Sequence, residues 1–479
     1  MAPRYNRIAV IGAGPSGLAA VRALAAENAF STLRVFDRRD HVGGLWHYDP
    51  EPDVFPGTTD VPQRVVSPPS TLPGFAPPAG KDPRARSALY WELDSNVGAE
   101  TMAFSYAPFP KGSSASSLAR LGANNPSRTY NVVAGYLEDL FTPYLPLVSL
   151  GTTVERVEKA PGTKEWTLTL RKEGEQYRGT QHDYWWTETF DAVVVASGHY
   201  HVPLIPSITG LIDTAHALPG RFEHSKSYRK PEKYTGKRVL VVGGSISAVD
   251  FIQDLHDIVQ GKLEVAIRGR NPALEAAYNL PNVRQHPTVA SFARGPNDKV
   301  VATFSDGSVV DNLDSVLFAT GYRLQYPFLQ PNPTTPQNYV SGFYQHVFNV
   351  NDPSLTLVGQ VKAALSFRIY EYQAVAVARY YAGRNARALP SVLEQRRWEA
   401  DTLKLKGASS NFHEIAPDLG AYYNWLADFA GKPAKGTDAY ELPQWQEAWG
   451  EHGFSILDLK AKYWQSVIDK HNAGVRAKL

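Results

Sequence analysis

Cysteine is absent from all 479 residues. That single absence excludes disulfides, thiolate metal sites, cysteine nucleophiles and dithiol redox chemistry. An excess of one charge is missing too. The chain has 49 Lys and Arg against 47 Asp and Glu, a formal net charge of +2. Such a balance gives no pull toward nucleic acid or acidic membranes. No apolar run is long enough to span a membrane, and the opening MAPRYNR lacks the apolar core of a secretion signal. No Asn-x-Ser/Thr acceptor occurs outside a proline context. A chain with these gaps is expected to be soluble and intracellular, with room for two or three domains.

What is present begins with RIAVIGAGPSGLAAVRAL, from Arg7. A short β-branched run ends in glycine, and alanine-rich helical spacing follows. Gly12, Gly14 and Gly17 stand where a βαβ dinucleotide-binding turn needs them, with Ala13, Pro15 and Ser16 between. They serve the tight turn, the backbone approach to a pyrophosphate and the close packing of helix on strand. The helix N-terminus offers free N–H groups and a positive dipole end to the phosphates. The next strand, STLRVFD, ends at Asp37, 20 residues past Gly17, where a carboxylate can bind ribose hydroxyls.

KRVLVVGGSISAVDFIQDL, from Lys237, is a weaker copy. Gly243, Ser245 and Ala248 take the three fingerprint positions, with Ser247 in the same turn, and alanine is an accepted third member. The strand KLEVAIR ends at Arg268, 20 residues past Ala248, and Arg270 lies beside it. Arginines there suit a 2′-phosphate rather than a free ribose. Alone, this stretch also reads as a plain strand and helix with surface arginines. An internal echo favours the first reading: DAVVVASGH from Asp191 and DSVLFATGY from Asp314 match position for position, each following one fingerprint. Two related α/β units of Rossmann type are expected, one binding its cofactor at Asp37, the other an NADPH-like cofactor at Arg268.

Taken together, GAGPSG, GGLW (Gly43 to Trp46), LDSNVGAETMAFSYAPFP (from Leu93) and FATGY (from Phe318) resemble the flavin-containing monooxygenases, in the soluble fungal and microbial form. LPGRFEHSKSY resembles that family's identifying motif through Gly220, His224 and Tyr228, with Leu218 in place of the leading aromatic. The resemblance runs from about residue 5 to about 385. It implies FAD on the first fingerprint and NADPH on the second. It also implies a C4a-hydroperoxyflavin that passes one oxygen atom to a soft nitrogen or sulfur nucleophile of a small molecule, with O2 as co-substrate. It adds Leu45, Trp46, Ser95, Val97 and Gln373 to the cofactor contacts, and sets Glu371 at a family position. Asn96 falls where the family places an asparagine beside the flavin edge and the nicotinamide, so it is the catalytic candidate. Ser245, Ala248 and Ile246 depart from many members and bear on NADPH affinity.

The same resemblance implies a discontinuous FAD-binding domain, residues 1–212 and 325–479, with an NADPH-binding domain inserted at 213–324. The crossings fall near SGHYHVPLIP and ATGYRLQYPF, side by side as a hinge. The stretch from Pro50 to Pro83 holds ten prolines and is expected to be a loop, more solvated insertion than entrance. The aromatic-rich tail beyond residue 390 is expected to be core packing. A disulfide reductase is excluded by the missing cysteines. An N-hydroxylating amine oxygenase stays open through the Asp314 to Pro327 pattern, and a Baeyer–Villiger oxygenase through the shared motif region. No Ser-His-Asp set is visible, and His199 and His201 have no nearby carboxylate to complete a metal site. Neither nucleic acid nor membrane is expected as a partner; a homodimer is left open. The cytoplasm is the expected compartment. Ala477-Lys478-Leu479 resembles the peroxisomal address and keeps that organelle as the alternative.

Overall fold

Parallel strands covered on both faces must be apolar along their length, as both fingerprint strands are. The computed structural model describes residues 3–60, 64, 66–80, 82, 85–160, 162–269 and 271–476. In the first unit, β1 (Arg7–Ile11), β2 (Thr32–Phe36), β3 (Val148–Ser149) and β4 (Ala192–Val195) run parallel in the order β4-β1-β2-β3. Ile8 lies opposite both Leu33 and Ala192 in this sheet. In the second unit, β5 (Phe222–His224), β6 (Val239–Val242), β7 (Leu263–Ala266), β8 (Val283–His286) and β9 (Ser315–Phe318) form a second parallel sheet, ordered β5-β9-β6-β7-β8. The chain then returns: β10 (Phe343–Tyr344), β11 (Phe348–Asn349) and β12 (Leu355–Leu357) extend the first sheet, β12 pairing parallel with β4.

The two echoed strands, β4 and β9, take the same place, each directly beside its fingerprint strand. This pairing is what the repeat in the sequence encodes. Both crossings meet where Val202–Pro203 pairs antiparallel with Tyr322–Arg323. The Thr320 hydroxyl adds a bond to the Leu204 carbonyl at 2.6 Å.

The helices that matter are α1 (Pro15–Ala26), α2 (Ala99–Met102), α3 (Ile246–Leu255), α4 (Phe367–Ala382), α5 (Leu419–Ala430) and α6 (Glu447–Arg476). Proline at the first position of α1 costs nothing, because that N–H has no intrahelical partner anyway. Nearly all of α4 is buried, because α1 covers one side and α5 the other. The tail packs into cores through α5 and α6, whereas the helix Val392–Lys406 buries only Gln395 and leaves Leu393 and Leu405 exposed, so core packing holds for part of the tail. The last helix, α6, serves both units. Its Trp449 belongs to the first unit's core, whereas Trp464, fully buried, joins the second's.

The proline-rich stretch is not solvated throughout. Phe55 stacks on Phe318 and lies tilted against Phe222 of the second sheet, at 5.8 and 5.9 Å between ring centroids. Asp53 forms a buried ion pair with Lys226 at 2.5 Å. Gly74–Ala76 adds an edge strand to an antiparallel sheet through Thr180–Phe190. Proline count marks the absence of helix but says nothing of burial, which here comes from an aromatic and a carboxylate between the prolines. Among the described residues, no helix is long and apolar enough to cross a membrane. Arg270 and the terminal Ala477-Lys478-Leu479 lie outside the described residues.

Candidate active site

The first turn is closed by backbone contacts. Gly12 has φ +109°, and a Cβ on it would collide with the Ala196 carbonyl of β4's exit. A Cβ on Gly17 would collide with the Gly12 carbonyl, so strand and helix approach as closely as they do only through glycine. Gly14 is different. Its nearest neighbour is another glycine, Gly44, whose own Cβ would fall 2.9 Å from the Gly14 Cα. Two bare backbones thus face each other at the mouth of α1, and no side chain caps that helix. An uncapped N-terminus framed by glycine fits a dinucleotide pyrophosphate.

Asp37, 7 % exposed, binds the turn itself: its carboxylate accepts the Ala13 N–H at 2.6 Å and the Arg39 N–H at 2.8 Å. Ribose would have to use the remaining lone pairs. Pro15 and Ser16 open α1, and Ser16 lies against Gly359 from the returning chain. The turn holding Leu45 and Trp46 is fastened by Gly43 N–H to the Ala13 carbonyl at 2.8 Å and by the Ser87 hydroxyl to the Leu45 carbonyl at 2.6 Å. Trp46 meets Phe367 of α4 edge-on at 6.0 Å.

Asn96 sits in a bend just before α2. Ser95 on one side donates its N–H to the Arg128 carbonyl at 2.8 Å and accepts the Arg128 N–H at 3.0 Å through its hydroxyl oxygen. That hydroxyl also donates to the Val97 carbonyl at 3.0 Å. Gly98 on the other side donates to the Gly453 carbonyl of α6 at 3.0 Å. A loop fixed at both ends presents an exposed amide. Gln373 is enclosed instead: its carbonyl oxygen accepts the Gly359 N–H at 2.8 Å, and its amide donates to the Tyr422 hydroxyl at 2.9 Å. Its reach toward a cofactor runs through the Gly359 backbone. Glu371 is likewise tied up, by Ser105 and the Tyr440 hydroxyl.

The second turn repeats the first. Gly243 has φ +146°, and its Cβ would collide with the Ala319 carbonyl, the counterpart of Ala196. Ser245 begins α3 without a side-chain cap, Ser247 is exposed in the first turn and Ala248 is fully buried. Arg268 is exposed in the turn after β7, and this turn folds back so that Gly269 and Ile267 crowd Gly244.

Between the units, burial pushes the His224 imidazole down to about 3, and its Nδ1 accepts the Lys226 N–H at 3.1 Å. A neutral, buried histidine of this kind holds the linker. His199 is also neutral, pushed down to about 4 by burial with help from Lys362. Among the described residues, no group of three or more metal-binding side chains gathers. Gly44 belongs to the GGLW stretch, whereas Gly359 and Gln360 carry no spacing signal of their own. Gln360 is buried, takes the Tyr326 hydroxyl on its carbonyl oxygen and leaves its amide nitrogen unpartnered.

A family model described as flavin-binding monooxygenase-like matches residues 80–270 and 284–433, and one for an NAD(P)-binding Rossmann-like domain matches residues 10–78. The flavin-containing monooxygenase FMO GS-OX-like 7 of Arabidopsis thaliana is 30 % identical over 92 % of this chain and 86 % of its own length. The flavin-containing monooxygenase ustF2 of Aspergillus flavus is 26 % identical over 93 % of this chain and 97 % of its own. Among solved structures, S-allyl-L-cysteine S-oxygenase from Allium sativum matches with TM-score 0.70 and 26 % identity over 99 % of both chains. Cyclohexanone monooxygenase, at TM-score 0.54 and 15 % identity, shares the fold. Two uncapped nucleotide turns in tandem, under a family model that covers most of the chain, place this protein among the flavin-binding monooxygenases, oxidoreductases that use FAD and NADPH.

Proposed function

We propose that this monooxygenase inserts one oxygen atom of O2 into a nucleophilic sulfur or nitrogen of a small molecule. FAD is held by residues 1–212 and 325–479 and NADPH by 213–324. The balance is NADPH + H⁺ + O2 + substrate giving NADP⁺ + H2O + oxygenated substrate. The observation that carries this reading is the pair of uncapped fingerprint helices, one at the end of each parallel sheet. The likeness to an S-allyl-L-cysteine S-oxygenase over nearly the whole chain supports it.

Bound FAD supplies the electron relay from NADPH to O2 and the activated oxygen that the nucleophile receives. This chain's own residues bind, orient and exclude. The Gly12–Gly17 turn and the α1 N-terminus take the pyrophosphate, with Asp37 holding the turn. Leu45, Trp46, Ser95 and Val97 wall the site, and Gln373 fixes Gly359. The Gly243–Ala248 turn, with Ser245 and Ser247, takes the second cofactor, whose 2′-phosphate meets Arg268 and Arg270. The Asn96 amide offers a donor and an acceptor without an acidic proton.

The test is oxygen and NADPH consumption by purified yellow protein with a dialkyl thioether and a tertiary amine, with products weighed by mass spectrometry. A gain of one oxygen atom, stoichiometric with NADPH, is expected. NADPH oxidation that ends only in H2O2 with every nucleophile would overturn the reading.

A further inference from the structure

Behind Asn96 lies a network of small polar side chains that neither cofactor turn uses. Asp94, two residues before Asn96, supplies its carboxylate. That carboxylate accepts the Ser114 N–H at 3.2 and 3.3 Å, the Ser114 hydroxyl at 3.1 Å and the Ser127 hydroxyl at 3.1 Å. Ser114 in turn caps the short helix Ala115–Leu121, accepting the Ser117 N–H at 3.1 Å. The Ser127 N–H donates to the Asn125 side-chain carbonyl at 2.9 Å, and the Ser113 hydroxyl donates to the Ser127 carbonyl at 2.9 Å. The Ser117 hydroxyl lies 3.3 Å from that of Ser127, and the Asn125 amide donates to Ser117. Ser114, Ser117, Asn125 and Ser127 are all buried, Ser127 completely.

An ionised carboxylate has acceptors only. Both hydroxyls must therefore aim their hydrogens at Asp94, and the rest of the order follows: Asn125 to Ser117, Ser117 to Ser127, Ser127 to Asp94. One side chain thus sets the direction of every bond in this relay. Such buried networks rigidify when fully satisfied and are costly when a partner is missing. The backbone carries this order to Asn96. Asp94 and Thr129 form an antiparallel bridge, and Ser95 and Arg128 exchange bonds at 2.8 and 3.0 Å. Ser127 directly precedes Arg128, so Asp94 ties together both sides of the pairing at whose end Asn96 stands. The Asn96 side chain itself stays exposed.

We propose that Asp94 is a positioning residue for oxygen transfer: by ordering the serine network it fixes the loop that presents Asn96. The inference rests on the oxygenation reading above, with Asn96 as the group that serves it. Both Asp94 oxygens are engaged by Ser114 and Ser127, so Asp94 acts through Asn96 and not on the substrate. When the loop is loosened, the two electrons of NADPH leave with O2 as peroxide: NADPH + H⁺ + O2 giving NADP⁺ + H2O2.

The experiment compares holoenzymes of wild type, Asp94→Ala, Asp94→Asn, Asn96→Ala and the double variant Asp94→Asn/Asn96→Ala, each with a dialkyl thioether and a tertiary amine. Readouts are product and H2O2 per NADPH, FAD content, anaerobic reduction by NADPH and the melting temperature. In Asp94→Ala the product-to-H2O2 ratio should fall about tenfold, as displacement of a reacting group by a fraction of an ångström commonly does. In Asp94→Asn it should fall less, because the amide keeps one acceptor but turns a donor toward a hydroxyl. FAD content and the rate of reduction should stay within about twofold of wild type, since neither fingerprint turn is touched. The double variant should be no more uncoupled than Asn96→Ala alone, because residues that act through one group are not additive. If Asp94→Ala loses FAD, Asp94→Asn decides by the same readouts. Wild-type coupling in Asp94→Asn and Asp94→Ala overturns the inference, and so do losses that multiply in the double variant. Uncoupling that excess FAD restores, or that merely follows the melting temperature, assigns Asp94 to stability and overturns it as well. If Asn96→Ala stays coupled, the inference falls while the oxygenase reading stands. If wild type oxygenates neither compound, both fall.

Discussion

At the scale of single residues, Asn96 and Arg268 carry the sharpest expectations. Asn96 is held by Ser95 and Gly98 backbone bonds that a substitution leaves in place. Asn96→Ala is therefore expected to fold, bind FAD and accept hydride from NADPH. Loss of a preorganised hydrogen-bond donor commonly costs on the order of 10²-fold in the step it serves. The variant should oxygenate poorly and release H2O2 in place of product. Product and H2O2 measured per NADPH consumed decide this: coupling equal to wild type reduces Asn96 to a bend residue. Arg268 lies in the turn whose Gly269 and Ile267 pack on Gly244, and the proposed second site gives it the 2′-phosphate of NADPH. A charge-assisted contact of about 1.5–3 kcal/mol predicts that Arg268→Asp raises the NADPH KM about 10- to 100-fold. The NADH KM should hardly move. Steady-state kinetics with both nucleotides check it, and equal NADH and NADPH efficiency in wild type would refute the premise. The glycine positions were legible because steric need leaves a fixed spacing. Gln373 was only half legible, since sequence can match a position without saying that both ends of its amide are buried and engaged. Gly359 leaves no pattern, because its neighbours are set by tertiary return of the chain.

Whole elements divide the same way. The strands β1, β4, β6 and β9 could be read as apolar runs because parallel strands buried on both faces tolerate little else. The segment from Pro50 could be read as lacking helix, yet its packing through Asp53 and Phe55 could not, since one carboxylate and one ring form no period. The final helix shows an apolar spacing of seven to eight residues, through Trp449, Ile456 and Trp464, but the period names no partner. The structure supplies it. Trp464 is fully buried in the second unit's core and donates to the Gln253 side chain at 2.8 Å, while Lys460 pairs with Asp250 at 2.7 Å. Both partners lie on α3, the helix of the second fingerprint. At its other end α6 also contacts the Asn96 loop, through the Gly453 carbonyl. Trp464→Ala is expected to cost about 3–5 kcal/mol by cavity formation. It should lower the unfolding midpoint and weaken NADPH binding more than FAD binding. Thermal melts with each nucleotide separate the effects: equal loss for both would show that α6 stabilises without favouring the second unit.

For the molecule as a whole, its buried histidines make acid a destabilising stress. Four histidines are buried and neutral: His199, His224, His346 and His413, none more than 5 % exposed. Burial is the first cause in every case, pushing His199 to about 4, His224 and His346 to about 3, and His413 well below its usual value. Nearby cations add to it, Lys362 for His199 and His413, Lys226 for His224 and Lys406 for His346. His413 and His346 also face each other, Nδ1 to Nδ1, at 3.2 Å. The Val340 N–H donates to His413 Nε2, so the shared proton sits on His413 Nδ1 and a second would have no acceptor. In the unfolded chain each ring titrates near 6.5, so below that pH the unfolded state binds more protons than the folded one. The stability contributed is fully present above about pH 6.5 and falls as pH drops toward the folded values. Between pH 7.5 and 5.5 each of His199, His224 and His346 removes about 1.4 kcal/mol, about 4 kcal/mol for the three, and His413 adds to the loss in the same direction. These groups join β10–β12, the Gly359 loop and both linkers, so the loss should fall on the region between the cofactor turns. The urea midpoint should drop markedly over this range, with FAD released as it does. His346→Phe should flatten the slope by about a quarter, and a midpoint that does not move with pH would show that these rings are hydrated in solution.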